Sequence, residues 1–141
     1  MGWRGFALKT LQKRYSAVTA TLIVGVLWGL WHIPLFLWPG SGMSTYPFWA
    51  WFVAIVAESY VLTWLYNSSG QCLWIAIVFH IAFNLFSAIL GIDSFLSLAL
   101  VNSAAAAALV WRFGEGLGLG QQRGADAGEA GSRAGRLDGR A

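Results

Sequence analysis

The sequence has 141 residues, 57% of them hydrophobic and only 11% charged, whereas an average soluble domain is roughly 25% charged. The nine Lys and Arg all fall in two terminal segments, Arg4–Arg14 and Arg112–Arg140, and between Tyr15 and Trp111 the only charged residues are Glu58 and Asp93. That pattern excludes a soluble globular domain, and the net charge of +3 reads as charge kept out of a bilayer and not as a nucleic-acid footprint.

One cysteine, Cys72, excludes an internal disulfide and a cysteine-based zinc cage. The expected fold class is all-α, a polytopic transmembrane helical bundle of four spans preceded by a basic amphipathic helix. Residues 1–15 place Trp3, Phe6, Leu8, Leu11 and Tyr15 among Arg4, Lys9, Lys13 and Arg14. They form either an interfacial helix lying on the membrane or a basic flank that only orients the first span. No apolar core followed by a small-residue cleavage site is present there, so a removable signal peptide is not expected.

The membrane core is expected over 16–113. The first span, about 16–37, supplies 22 residues, more than the ~20 needed to cross the hydrocarbon. It contains His32, with Trp28 one turn before and Pro34 two residues after. Proline offers no N–H to the carbonyl four residues back, so the Leu30 carbonyl is expected to be freed and the helix to kink or end. Broken backbone at membrane depth is tolerated where it is packed in protein or lines a cavity, so His32 and a freed carbonyl are expected to share a polar pocket.

WPGSGMSTY, Trp38 to Tyr46, is a turn. The second span, about 47–66, carries Glu58, the sole acid inside any expected span; an unpaired carboxylate there would be protonated. NSSGQ, Asn67 to Gln71, makes a tight turn, so spans two and three form an antiparallel hairpin. The third span, about 72–90, holds His80 and Asn84, whose spacing of four puts them on one helix face. The fourth, about 94–111, contains the small-residue run Ala104 to Ala108, suited to close helix packing. Residues 114–141 hold nine glycines and almost no large apolar groups and are expected to be a disordered tail. Four spans place both termini on one side, and the basic excess at both ends makes that side cytoplasmic. The expected location is a bacterial plasma membrane, as an integral protein with no nucleic-acid partner.

Polar groups at mid-membrane depth default to a functional reading. His32, His80 and Asn84 are the candidates for chemistry, and the two histidines are the only ones in the chain. Two imidazoles can hold a divalent metal, zinc above all, or orient a water between them, with Asn84 donating to the oxyanion formed when water attacks a carbonyl. The plainer alternative is that each histidine only hydrogen-bonds a neighbouring helix and supports packing. A catalytic zinc takes three protein ligands and an open position, and hydrolysis needs a general base; neither a third ligand nor a base is evident unless Glu58 serves. For Glu58 the preferred account is a buried acid that caps a helix–helix contact. The tryptophans near the expected boundaries, such as Trp38, Trp49 and Trp74, need no cofactor, because aromatic belts form there.

Four stretches, GWRGFALKTLQKRYSA, LWGLWHIPLF, TWLYNSSG and FHIAFN, resemble in the right order the CAAX protease and bacteriocin-processing family. These are intramembrane metalloproteases that include type II CAAX prenyl endopeptidases and bacteriocin self-immunity proteins. The resemblance covers about Gly2 to Leu90. Arg4 matches the arginine of the family's first motif, a glutamate pair, three intervening residues and then arginine, which puts those glutamates immediately ahead of Met1. Trp28 to His32 matches a Phe-x-x-x-His motif with tryptophan in place of phenylalanine, and His80 to Asn84 matches His-x-x-x-Asn.

The resemblance implies hydrolysis of a peptide bond in a membrane-associated or prenylated protein. It assigns His32 and His80 as metal or water partners, Asn84 as the oxyanion donor, and a glutamate as the group that activates water. Because that pair and the family's upstream spans are absent from the sequence, the expectation is a fragment or mis-started product, with a catalytically dead remnant as the other possibility. Two further readings stand beside the protease: a non-catalytic membrane module in bacteriocin immunity or partner binding, and a transporter fragment using His32, Glu58 and His80 as a proton or ion path.

Overall fold

The computed structural model describes residues 2–89 and 94–120, and every described element is helical. A π-helical segment, Trp3–Leu8, runs into a short helix α1, Lys9–Leu11; then follow α2, Ala17–Trp31, α3, Ile33–Leu37, α4, Phe48–Ser68, α5, Leu73–Ile89, and α6, Phe95–Phe113. Short 3-10 turns occupy Gly42–Thr45 and Gly114–Gly116. The helix starts follow local chemistry. Ser16 accepts the Thr19 amide ahead of α2, and Ser94 accepts the Ser97 amide ahead of α6, each satisfying one of the donors that a helix N-terminus leaves unpaired.

Three stretches are long and apolar enough to cross a membrane: Ala17–Leu37, Phe48–Ser68 and Phe95–Gly116. The expected third span is the shorter apolar helix Leu73–Ile89, whose 17 residues rise only about 26 Å at 1.5 Å each, short of the ~30 Å hydrocarbon core. Its expected continuation through Leu90, and Asp93 in the following turn, lie outside the described residues. The outer surface carries large exposed apolar side chains, among them Trp31, Leu37, Val78, Leu85, Val101 and Trp111. Such a surface suits lipid and not water, and the chain is an integral membrane protein.

Helix α4 is the centre of the bundle, in contact with α2, α5 and α6. Its close approach to α2 depends on two glycines one turn apart. A Cβ on Gly25 would come within 2.9 Å of Ser59 Oγ, and one on Gly29 within 2.6 Å of Phe52 Cε2. This is the small-residue packing that lets membrane helices gain van der Waals contact without a hydrophobic driving force between them. On the other side of α4, Asn102 of α6 donates to the Ala54 carbonyl at 3.2 Å.

The N-terminal segment packs into the bundle. Arg4 and Leu8 are buried, and Leu8 joins Ala20, Val24 and Tyr66 in one of the two apolar cores. The residues expected to begin the disordered tail are also placed differently. Leu117 is fully buried, and Asn67 Nδ2 donates to its carbonyl at 3.2 Å, so 114–120 folds back onto the end of α4. The rest of the expected tail, 121–141, lies outside the described residues.

Candidate active site

His32 sits where the first span breaks. Pro34 occupies the first turn of α3, where its missing N–H is harmless, but it cannot continue the bonding of α2. The His32 amide turns to the Gly29 carbonyl at 3.1 Å. Pro34 offers no N–H to the Leu30 carbonyl, as expected, and the Trp28 carbonyl, left by the His32 amide, gains a new donor: His32 Nδ1 lies 2.7 Å from the Trp28 oxygen. A carbonyl only accepts, so the imidazole proton is on Nδ1 and Nε2 carries a free lone pair.

His80 and Asn84 project from one face of α5, as their spacing requires. Asn84 Nδ2 donates to His80 Nε2 at 3.1 Å, and on the other side of the ring Nδ1 meets Glu58 Oε1 of α4, also at 3.1 Å. Since the amide nitrogen only donates, Nε2 accepts, the proton sits on Nδ1, and the Glu58 carboxylate accepts the Nδ1–H hydrogen bond. Glu58 is 6% exposed. It does bridge two helices, as the packing account requires, and its carboxylate also reaches the site.

Trp28 gathers the pieces. Its indole stands edge-on to His32 with centroids 5.8 Å apart, and to His80 at 5.4 Å, while the Arg4 guanidinium lies 4.9 Å above its ring. His32, Glu58, His80 and Asn84 all line one cavity of about 370 Å³, whose walls include Trp51, Tyr46 and Phe95. A second cavity, about 220 Å³, is lined by Arg4, Leu62, Trp28 and His80, so the last two form the partition between them.

Arg4 is the site's exposed chemical tension. Its side chain is buried, and its Nε and Nη2 find no hydrogen-bond partner among the described residues. Burial pulls its pKa down to about 10, with the field of Glu58 opposing. Among the described residues no group of three or more His, Cys, Asp or Glu side chains is placed to hold a metal ion.

The structure thus brings His32, His80, Asn84 and Glu58 to one cavity and Arg4 to its neighbour. Sequence reasoning missed the Trp28 carbonyl and the polar lining by Asn102. A family model described as type II CAAX prenyl endopeptidase, Rce1-like, matches residues 1–86. The chain belongs to the Rce1-like CAAX prenyl endopeptidase family. Within it, the CAAX prenyl protease 2 of Methanococcus maripaludis is 33% identical over 98 residues, which is 65% of this chain and 36% of that protein. The chain therefore spans about a third of the length of the curated Rce1-like relative it matches. No solved structure matches it.

Proposed function

We propose that this chain carries the water-activating and oxyanion-binding part of an intramembrane endopeptidase that hydrolyses a peptide bond in a membrane-associated or prenylated protein. The observation that carries this reading is the convergence of His32 and the His80–Asn84 pair on one cavity, within a chain of a prenyl protease family. His32, with its proton held on Nδ1 by the Trp28 carbonyl, offers Nε2 to a water and accepts its proton as the oxygen attacks the peptide carbonyl carbon. Asn84 uses one amide hydrogen on His80 and has a second for the oxyanion, a donor worth about 10²–10³ in rate. Collapse of the tetrahedral intermediate breaks the C–N bond, and the proton held by the imidazole passes to the leaving amine. The positive charges at both ends of the chain support cytoplasmic termini in a cell membrane.

Zinc on His32 and His80 is not fitted by the donors described. Both nitrogens of His80 are engaged, by Glu58 and Asn84, and among the described residues no third ligand joins the pair, where a catalytic zinc takes three. No step here passes through a metal.

The test is cleavage of a prenylated C-terminal peptide by the full-length protein in nanodiscs. His32→Ala and His80→Ala should each lower turnover by about 10²-fold or more; turnover equal to the parent protein would refute the assignment. One observation favours a second reading, a proton path: Glu58 lines the same cavity as both histidines. Proton flux into proteoliposomes that is lost in Glu58→Gln, with no peptide cleavage, would select it. Absence of both activities would leave the non-catalytic module in immunity or partner binding.

A further inference from the structure

We infer that Glu58 is a positioning residue for His80: its carboxylate, presented from the neighbouring helix, accepts the imidazole Nδ1–H, fixes the tautomer and ring orientation, and thereby leaves Nε2 facing Asn84 and the cavity. This rests on the hydrolytic reading above and adds a residue to it.

An acid within an apolar span is costly unless it has a partner, and Glu58 is the sole acid in Phe48–Ser68. Its carboxylate is almost fully buried, 3.1 Å from His80 Nδ1. The hydrogen bonds run in one direction through the ring, from Asn84 Nδ2 to Nε2 and from Nδ1 to Glu58 Oε1. Reversing that direction would require the Asn84 amide to turn over and Glu58 to carry the proton. Without an acceptor at Nδ1 the imidazole proton is free to move to Nε2, where it would meet the Asn84 amide hydrogen. The Asn84 side chain would then have to turn away, and the donor it offers to a reacting carbonyl would move with it. His32 has the same tautomer from a different acceptor, the Trp28 carbonyl. The two histidines thus hold the same tautomer through independent devices, one built from a helix break and one from a carboxylate. A base oriented by a third group is the general logic of such sites.

The charged and titratable groups that face this pair from the packed elements are Arg4, whose charge interacts with Glu58, and His32 across Trp28. Arg4 has no hydrogen bond to Glu58 among the described residues, so the carboxylate's direct side-chain partner there is the His80 ring.

The experiment uses the full-length protein, labelled with ¹⁵N-histidine, in nanodiscs. His32→Gln and His80→Gln assign the two rings. In the parent protein His80 should read as protonated at Nδ1 and bare at Nε2. Glu58→Ala should turn His80 into a mixture of tautomers, leave the His32 signals in place, and lower kcat by about 10–100-fold, the scale of a reacting group misplaced by about 1 Å, with KM little changed. Glu58→Gln, nearly the same shape, keeps an acceptor oxygen and should hold the tautomer while losing part of kcat; it also covers the case in which the alanine variant does not fold. An unshifted His80 tautomer in Glu58→Ala, or an Nε2-protonated ring in the parent protein, would overturn the proposal. If His80→Ala cleaves normally while Glu58→Ala still shifts the tautomer, the hydrolytic reading fails and the positioning relationship stands. If His80→Ala is inactive and neither Glu58 variant changes tautomer or kcat, the positioning proposal fails alone.

Discussion

The Nδ1 atom of His32 donates to the Trp28 carbonyl at 2.7 Å, one turn back along its own helix. This bond exists because the His32 amide has turned to Gly29, and the amide turned because Pro34 forbids the helix from continuing. Pro34→Ala supplies an N–H for the Leu30 carbonyl and favours a continuous helix. The His32 amide is then expected to return to the Trp28 carbonyl and displace the ring. Peptide cleavage should fall by about 10-fold to 10²-fold, because misplacement of a reacting group by about 1 Å costs up to 10². Single-turnover cleavage in nanodiscs checks this, and native turnover in Pro34→Ala would contradict the role given to the break.

The close crossing of α2 and α4 makes a second expectation. Gly29 has Phe52 Cε2 only 2.6 Å from where a Cβ would stand. Gly29→Leu must push the helices apart or force Phe52 from its rotamer, at about 1–3 kcal/mol. A lowered thermal midpoint in detergent, with a matching loss for Gly25→Leu, is the expected result. Unchanged midpoints for both would show that the helices are not this close.

Arg4 gives a stability prediction with a definite sign. Its folded pKa is depressed from the ordinary arginine range to about 10, by burial first and against the attraction of Glu58. Below pH 10 both folded and unfolded chains hold the proton, so the cost of burying the cation is constant. Above pH 10 the unfolded chain binds more protons, so stability rises with pH. The shift corresponds to about 3 kcal/mol of burial cost, partly offset by the cation–π contact with Trp28, worth about 1–2 kcal/mol. Arg4→Met should therefore leave the chain as stable or more stable at neutral pH and abolish the rise above pH 10. Denaturant unfolding at both pH values measures this; a loss of more than about 1 kcal/mol at neutral pH would contradict it.

Much of this arrangement was legible in the residues, and the omissions have physical causes. The helical membrane class followed from charge kept to the two ends, and the shared face of His80 and Asn84 followed from their spacing alone. The break at His32 and the loss of a donor at Leu30 were readable from Pro34, but that the Trp28 carbonyl would take the His32 ring depends on the rotation of the His32 amide, which no spacing encodes. Glu58 was given a packing role because only tertiary structure reveals that α4 turns its acid toward the ring of His80. Gly25 and Gly29 carried a readable small-residue signal at one-turn spacing, as clear as the alanine run later in the chain. Leu117 could not be placed from sequence, since a single leucine among glycines has no periodicity; it is the amide of Asn67 that captures its carbonyl.

The central claim is that His32, His80 and Asn84 surround the point where water attacks a peptide carbonyl. The most direct measurement is the kcat and KM of Asn84→Ala in the full-length protein, acting on a prenylated C-terminal peptide in nanodiscs. An oxyanion donor acts in the transition state and not on bound substrate, so kcat should fall by about 10²–10³-fold with KM nearly constant. A variant that cleaves with the parent's kcat, or that loses only substrate affinity, would contradict the account.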